Sequence, residues 1–212
     1  MKDKNKNAIE IYDKIAEDYS KNYDSIDSEE DLIFLKTFIS KLKPHSYIVD
    51  LGCGTGFSTG WFAKQEFKVE GSDLSSSMIT IAKRNYPAIH FTVADMRNFL
   101  PKEKADAVWA GYSLFHFGQL DFENTINQIK TYLKPGGIFG LVMQEGEDEI
   151  EVPEPFLPDR TIYIHLYTEV QLRAILDKHG FRVIEQKRKV PQYANEFPYN
   201  KLLLIGRLGQ LN

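Results

Sequence analysis

The sequence predicts an α/β fold: a mostly parallel sheet covered on both faces by helices and finished by an antiparallel strand. Three observations predict it. From residue 44 onward, short apolar runs alternate with amphipathic helical patterns, as strands joined by crossover helices do. Three of those runs end in an aspartate, Asp50, Asp73 and Asp95, which collects acids at one edge of the sheet. The last two runs, 181–189 and 202–208, leave little room for a crossover helix between them, which favours an antiparallel pair.

The elements follow in order. Ile9, Tyr12, Ala16 and Tyr19 fall at helical spacing. Ser28 offers an N-cap with Asp31 at the third helical position, and Leu32, Leu35, Ile39 and Leu42 continue one apolar face until Pro44. Strands are expected at 47–51, 68–72, 89–94, 105–110 and 138–143. Helices are expected at 55–64, around Met78, Ile81 and Ala82, and through Phe122, Ile126, Ile129 and Leu133. The last of these is stopped by Lys134-Pro135-Gly136-Gly137. Residues 98–104 have room only for a turn or a short helix, and 144–166 read as irregular, acidic and proline-bearing. Thr168 then caps a helix whose face is Leu172, Ile175, Leu176 and His179, closed by Gly180.

Composition bounds the function. At 212 residues, 42% hydrophobic and 26% charged, the chain has the length and balance of one globular domain with a real core. A net charge of −4 argues against a general nucleic-acid binder. The only dense basic cluster, Lys187-Arg188-Lys189, reads as a solvated strand edge. The single cysteine, Cys53, allows neither an intrachain disulfide nor a cysteine metal cluster, and no metal is expected. The first residues carry no apolar leader-like run, and nowhere do 18 apolar residues follow one another, so a cytoplasmic protein without a membrane partner is expected.

The chemistry starts at Gly52, Gly54 and Gly56, a G-x-G-x-G turn directly behind Asp50. A dinucleotide fingerprint needs G-x-G-x-x-G, and position 57 is Phe57; a P-loop needs a Lys-Ser/Thr pair, which is missing. A carboxylate before the turn repels a pyrophosphate and suits an ammonium or sulfonium group. Asp73 ends the second strand about 20 residues on, where a doubly wound sheet sets a carboxylate against ribose hydroxyls. Asp95 ends the third and could accept from an exocyclic amino group, with Met96 against a purine face. Any one of these acids reads equally well as a helix cap; three in succession form a much rarer pattern.

Val49-Asp50-Leu51-Gly52-Cys53-Gly54-Thr55-Gly56 resembles the first motif of the class I S-adenosylmethionine-dependent methyltransferases. Asp73, Ala94-Asp95-Met96 and Leu133-Lys134-Pro135-Gly136-Gly137 resemble the later motifs in order and spacing. Tyr12-Asp13-Lys14-Ile15-Ala16-Glu17-Asp18-Tyr19 is similar to the N-terminal helix of small-molecule members, and the likeness runs from about residue 8 to 208. It implies a Rossmann-like doubly wound seven-stranded sheet, mostly parallel with the last strand antiparallel, plus N-terminal helices. It further implies a single methyltransferase domain: a helical lid at 1–43, a cofactor-binding core at 44–143, an acceptor-side insertion at 144–166, and a helix with a strand pair at 167–212.

The implied cofactor is S-adenosyl-L-methionine, with S-adenosyl-L-homocysteine as product. Carried over, Gly52, Cys53 and Gly54 form the turn that the cofactor approaches, and Asp50 lies near its amino-acid part. Asp73 with Leu74 takes the ribose, and Ala94, Asp95 and Met96 take the adenine. Gly111 and Tyr112 line the methionine arm, over which Tyr19 reaches back, while Tyr12 reads as packing.

Residues 111–117 narrow the acceptor. They lack the Asn/Asp-Pro-Pro-aromatic tetrad of methylases acting on DNA bases, and Ser113-Leu114-Phe115-His116 resembles the small-molecule branch. His116 is the candidate catalytic base by position, although Phe115 and Phe117 on either side fit a structural histidine better. The 144–166 interval is the expected acceptor lid; its six acids (Glu145, Glu147, Asp148, Glu149, Glu151 and Glu154) either attract a cationic acceptor or form a solvated loop. Tyr163, His165 and Tyr167 alternate as in a strand and would line the pocket or meet another subunit. The expected activity is in-line methyl transfer to a small molecule, driven by proximity and desolvation, in a monomer or homodimer that binds no nucleic acid. The alternatives are a non-catalytic S-adenosylmethionine-binding regulatory or scaffold module, or an RNA-modifying methyltransferase.

Overall fold

The structure is a computed structural model and describes residues 4–23, 29–191 and 196–210; the expected Ser28 cap lies outside them. Two helices, α1 (Lys4–Tyr23) and α2 (Glu29–Ile39), precede the sheet. Strands β1 (Tyr47–Leu51), β2 (Lys68–Asp73), β3 (His90–Val93) and β4 (Ala105–Gly111) follow, with α3 (Phe57–Lys64) and α4 (Ser76–Asn85) as crossovers. Then come α5 (Gln119–Tyr132), β5 (Leu133–Gln144), β6 (Glu149–Glu154), β7 (Leu157–His165), α6 (Glu169–Lys178), β8 (Phe181–Lys189) and β9 (Lys201–Leu208).

Among the described residues, seven of these strands form one sheet in the order β3-β2-β1-β4-β5-β9-β8. The β3-β2, β2-β1, β1-β4 and β4-β5 pairs are parallel, while β9 runs antiparallel to both β5 and β8. This is the expected doubly wound sheet. The chain winds outward from β1 in both directions, so the carboxyl ends of β1 and β4 flank a crevice at the topological switch point.

Both faces are covered, and strand alternation decides which residue goes where. Tyr47, Val49 and Leu51 face the core built by α5 and α6, with Phe122, Ile126, Leu172 and Leu176 among its members. Ile48, Ala107 and Trp109 point to the opposite face, against Phe34 and Phe38 of α2 and Phe62 of α3. The cap of α6 is as expected: Thr168 Oγ1 accepts from Gln171 N in a capping box, and Gly180 follows with φ +82°.

Helix α1 is tied over the carboxyl edge by side chains of the first turn of α4. The Asp13 carboxylate accepts from Ser75 Oγ at 2.6 Å and from Ser77 N at 3.0 Å, while Ser75 Oγ caps Met78 N at 3.1 Å. Ala16 packs with Met78 and Ile81 beneath it, and Arg84 reaches back to Glu17. The α1 apolar stripe thus closes on α4 rather than on the main sheet core alone.

Two expectations need revision. Strand β5 starts at Leu133, not 138: Lys134-Pro135-Gly136-Gly137 stays in the sheet as an irregularity between the Ala105–Leu133 and Ala107–Ile138 pairs, with Gly136 at φ +75°. The 144–166 interval is not irregular but largely a β6–β7 hairpin, paired from Glu149–His165 to Glu154–Leu157. Its edge residues alternate exposed and half-buried, a period of two that the dense acids conceal in the sequence.

Candidate active site

A cavity of about 550 Å³ opens at the carboxyl ends of β1, β2 and β4, under α1. Its floor is the glycine turn. Gly52 and Cys53 donate their N–H groups to the Ser72 carbonyl at 2.7 and 3.0 Å, which closes the turn onto β2. Gly52 has φ +68°, and a Cβ there would stand 2.3 Å from Ser113 Cβ, so the turn packs directly on the Ser113 side chain of the β4 loop. Gly54, at φ +52°, has nothing within 4 Å of its absent side chain, which leaves its backbone open to the cavity.

Asp73 ties this turn to the next one. Its Oδ2 accepts from Gly54 N at 2.9 Å and its Oδ1 from Ser75 N at 2.8 Å. Burial pushes its carboxyl above the usual range despite both bonds. Two lone-pair sites remain on the two oxygens for a ligand's donors. Leu74 lines the cavity beside it.

Asp50 is 2% exposed and accepts from Thr59 Oγ1 at 2.7 Å. Burial, reinforced by the Asp73 charge, pushes its carboxyl up to about 7, with the Thr59 hydroxyl working in the opposite direction. Cys53 lies between these acids, and burial raises its thiol well above the ordinary value. It is an unreactive wall residue, not a nucleophile.

Ala94, Asp95 and Met96 line the next part of the cavity. Asp95 is already engaged by a residue the sequence reading passed over. Arg97 holds it through Nη2 at 2.6 Å and through its backbone N–H at 2.9 Å, and also reaches Asp121 at 3.4 Å. Burial alone would raise the Asp95 carboxyl; the Arg97 guanidinium and N–H hold it below the usual range. The signal was an acid two residues ahead of an arginine in a turn, which lets the acid cap its own neighbour's backbone.

The far wall comes from the β4 loop, α1 and the hairpin. Gly111, Tyr112 and His116 contribute from one side and Tyr12 and Tyr19 from the other. Tyr112 takes φ +58°, a left-handed conformation that turns the chain from β4 into the 3₁₀ turn Leu114–His116. His116 Nδ1 lies 3.0 Å from the Tyr163 carbonyl, which can only accept, so Nδ1 carries the proton. Nε2 is then the acceptor for the Tyr12 hydroxyl at 3.0 Å. Burial pulls the imidazole down to about 4, with the Tyr163 carbonyl opposing. Tyr12, read from sequence as packing, is therefore also a hydrogen-bond partner in the site wall.

The cavity thus gathers Tyr19, Asp50, Gly52, Cys53, Gly54 and Asp73, together with Leu74, Ala94, Asp95, Met96, Gly111, Tyr112 and His116. It also includes Glu154, one of the six expected lid acids, and Gln144, Glu196 and Lys201, to which the sequence pattern assigns no role. Of the six hairpin acids, Glu145 is bound by Arg188, Glu149 lies 3.2 Å from His165 Nδ1, and Glu154 is buried with Phe156 N donating to it at 2.6 Å. Tyr163 and His165 do alternate on β7, but both lie away from the cavity lining.

Residues 48–137 match the family described as a methyltransferase domain. The matched segment runs from β1 into β5 of a sheet with the class I methyltransferase fold. The chain is 34% identical over 112 residues to a trans-aconitate 2-methyltransferase of Paracidovorax citrulli, covering 51% of the chain and 42% of that relative. The chain therefore spans less than half the length of that relative. It is 29% identical over 157 residues to an uncharacterized methyltransferase of Synechocystis, covering 68% and 71%. The methyltransferase fold recurs in 1,6-didemethyltoxoflavin-N1-methyltransferase of Burkholderia thailandensis, with a TM-score of 0.73 at 18% identity, covering 99% and 92%. Among the described residues, no helix is long and apolar enough to cross a membrane.

Two outcomes follow from the buried groups. Between about 3.8 and about 7 the folded domain holds a proton on Asp50 that the unfolded chain has released, so this group's contribution to stability falls as pH rises. Asp50→Asn should match the wild type only below about pH 4 and gain on it steadily up to about pH 7, melting higher by about 2–4 °C per kcal/mol gained; a difference that does not change with pH contradicts the assignment. The His116 ring, followed by NMR, should stay neutral down to about 4. An ordinary titration near 6.5 would show that the Tyr12–His116–Tyr163 chain is open to water.

Proposed function

We propose that the domain transfers a methyl group from S-adenosyl-L-methionine to a small-molecule acceptor, releasing S-adenosyl-L-homocysteine. The observation that carries this reading is Asp73: a half-buried carboxylate at the end of β2, held by Gly54 N and Ser75 N, with acceptor capacity left over for a vicinal diol. The open Gly54 backbone and the acid Asp50 behind it fit the amino-acid arm of such a ligand, while Ala94 and Met96 supply apolar surface for an adenine. The Asp95 oxygens already accept the Arg97 backbone N–H, Nη2 and a shared Nε, so an exocyclic amino group would bind there by displacing one of the two Nε contacts. Bound in this cavity, the cofactor would supply a methyl group already activated on a sulfonium.

The protein's own part is binding, alignment and exclusion of water. Asp50 rests half-neutral and becomes the better partner once a cationic group approaches, because an opposite charge pulls its proton off. Helix α1 and the hairpin close the wall: Tyr19 packs edge-on against Phe156 at 6.4 Å, and Asn7 Nδ2 donates to the Thr161 carbonyl at 2.8 Å. His116 serves in this reading as a positioning residue that fixes Tyr12 and the hairpin; any proton it takes must arrive at Nε2, through the Tyr12 hydroxyl. A trans-aconitate 2-methyltransferase and a 1,6-didemethyltoxoflavin-N1-methyltransferase among the similar proteins support a small acceptor. The engagement of Arg188 with Glu145 and Glu169 and the burial of Lys189 weigh against a basic nucleic-acid face, so the RNA-modifying alternative is not favoured. Domain limits of 1–43, 44–143, 144–166 and 167–212 remain part of this proposal.

Calorimetric titration tests it. Wild type should bind both S-adenosylmethionine and S-adenosylhomocysteine, and Asp73→Ala should lose roughly tenfold or more in affinity, the worth of a hydrogen bond to a charged group. Asp73→Asn, which keeps an acceptor for Gly54 N, controls for misfolding. A wild type that binds neither ligand, or an Asp73→Ala that binds unchanged, overturns the reading.

A further inference from the structure

The end of the cavity away from Asp73 contains a polar group of its own, built at the junction of β5 and β9. Gln144 and Lys201 are register partners there, and Lys189 of β8 stands next in the same row, so their side chains share one face. Lys201 pairs with Glu196, and the two side chains are only 9% and 8% exposed. The ammonium also sits 5.7 Å from the Tyr112 ring centre, on the loop that lines the cavity beyond Gly111. Gln144 is 3% exposed, and its Oε1 is buried without a hydrogen-bond partner.

These features are costly as pure architecture. A buried ion pair adds little to stability against an apolar pair of the same shape, and a buried amide end without a partner is destabilising. Both costs fall on one wall of one cavity. Lys201 is the only lysine or arginine among the described residues lining it. Its counterion comes from residues 196–200, which lie outside any helix or strand, whereas the lysine itself is fixed on β9. The pair is thus a rigid cation with a counterion on a loop. The ammonium has three donors, and the Gln144 amide, by rotation, can present its nitrogen to the same point. Glu154 faces this cavity as well, but burial raises its carboxyl towards the neutral form.

We propose that the methyl acceptor carries an anionic oxygen group, a carboxylate or a phosphonate, which docks on Lys201 and Gln144 by taking the place of Glu196. This rests on reading the cavity as a methyl-transfer site and names the chemistry of its second substrate. The hairpin acids do not contradict it, since Glu145 and Glu149 are turned to Arg188 and His165, away from the cavity.

The test uses the whole chain saturated with S-adenosylhomocysteine, whose own binding is measured first. Failure at that step overturns the methyl-transfer reading itself; success isolates the present proposal. Succinate, methylphosphonate and propylamine are then titrated separately. At least one anion should bind, succinate if the natural group is a carboxylate and methylphosphonate if it is a phosphonate. Lys201→Met should weaken that anion by roughly tenfold or more, and Glu196→Gln, which frees the ammonium, should tighten it. The paired Lys201→Met/Glu196→Gln variant removes both charges together and serves where a lone buried Glu196 harms folding; it too should bind the anion weakly. The proposal is overturned if neither anion binds Glu196→Gln, if propylamine binds in their place, or if the paired variant binds the anion as well as wild type.

Discussion

The Asp73 carboxylate holds the candidate site together. One oxygen takes the N–H of Gly54 and the other that of Ser75, so a single side chain joins the glycine turn after β1 to the start of α4 after β2. Ser75 passes the tie onward to Asp13 and hence to α1, the helix that roofs the cavity. Turn, sheet edge and lid are therefore positioned by one chain of hydrogen bonds that begins at the half-buried Asp73. Everything the site does depends on that acid remaining ionised in a place that disfavours charge.

That place is unfavourable by construction. Parallel strands ending side by side bring Asp50 and Asp73 to one cavity, where burial raises both carboxyls, with the Asp73 charge adding to it at Asp50 and the Asp13 charge at Asp73. A fold optimised for stability alone would not keep two acids there. A ligand with a cationic centre and a diol satisfies both at once, which turns a cost in the free protein into binding free energy. The Lys201–Glu196 pair and the unpartnered Gln144 Oε1 extend the same logic to the opposite end of the cavity.

Much of this was legible in the sequence, for physical reasons that can be named. Strand periods, glycines at φ-positive positions and acids at strand ends are local signals, and each maps to a fixed place in a doubly wound sheet. The hairpin was hidden because Glu145 to Glu154 crowd its polar face, so a period of two looked like a charge run. Strand β5 was shortened because Pro135-Gly136-Gly137 reads as a stop, although a left-handed Gly136 keeps the chain beside β4. Arg97, Gln144 and Lys201 escaped notice because their roles come from tertiary neighbours: Lys201 meets Gln144 only through the β5–β9 register. Conversely, Tyr12 and His116 were each assigned a separate role, and only the fold reveals that they are one hydrogen-bonded unit.

The central claim, that a half-neutral Asp50 beside Asp73 forms a site for a cationic cofactor, is tested most directly by counting protons during binding. S-adenosylmethionine would be titrated into the protein at about pH 7 in buffers of different ionisation enthalpy. With Asp50 near 7 in the free domain, binding should release roughly half a proton, a release that disappears in Asp50→Asn. Binding with no proton release, or with the same release in Asp50→Asn, would contradict the account.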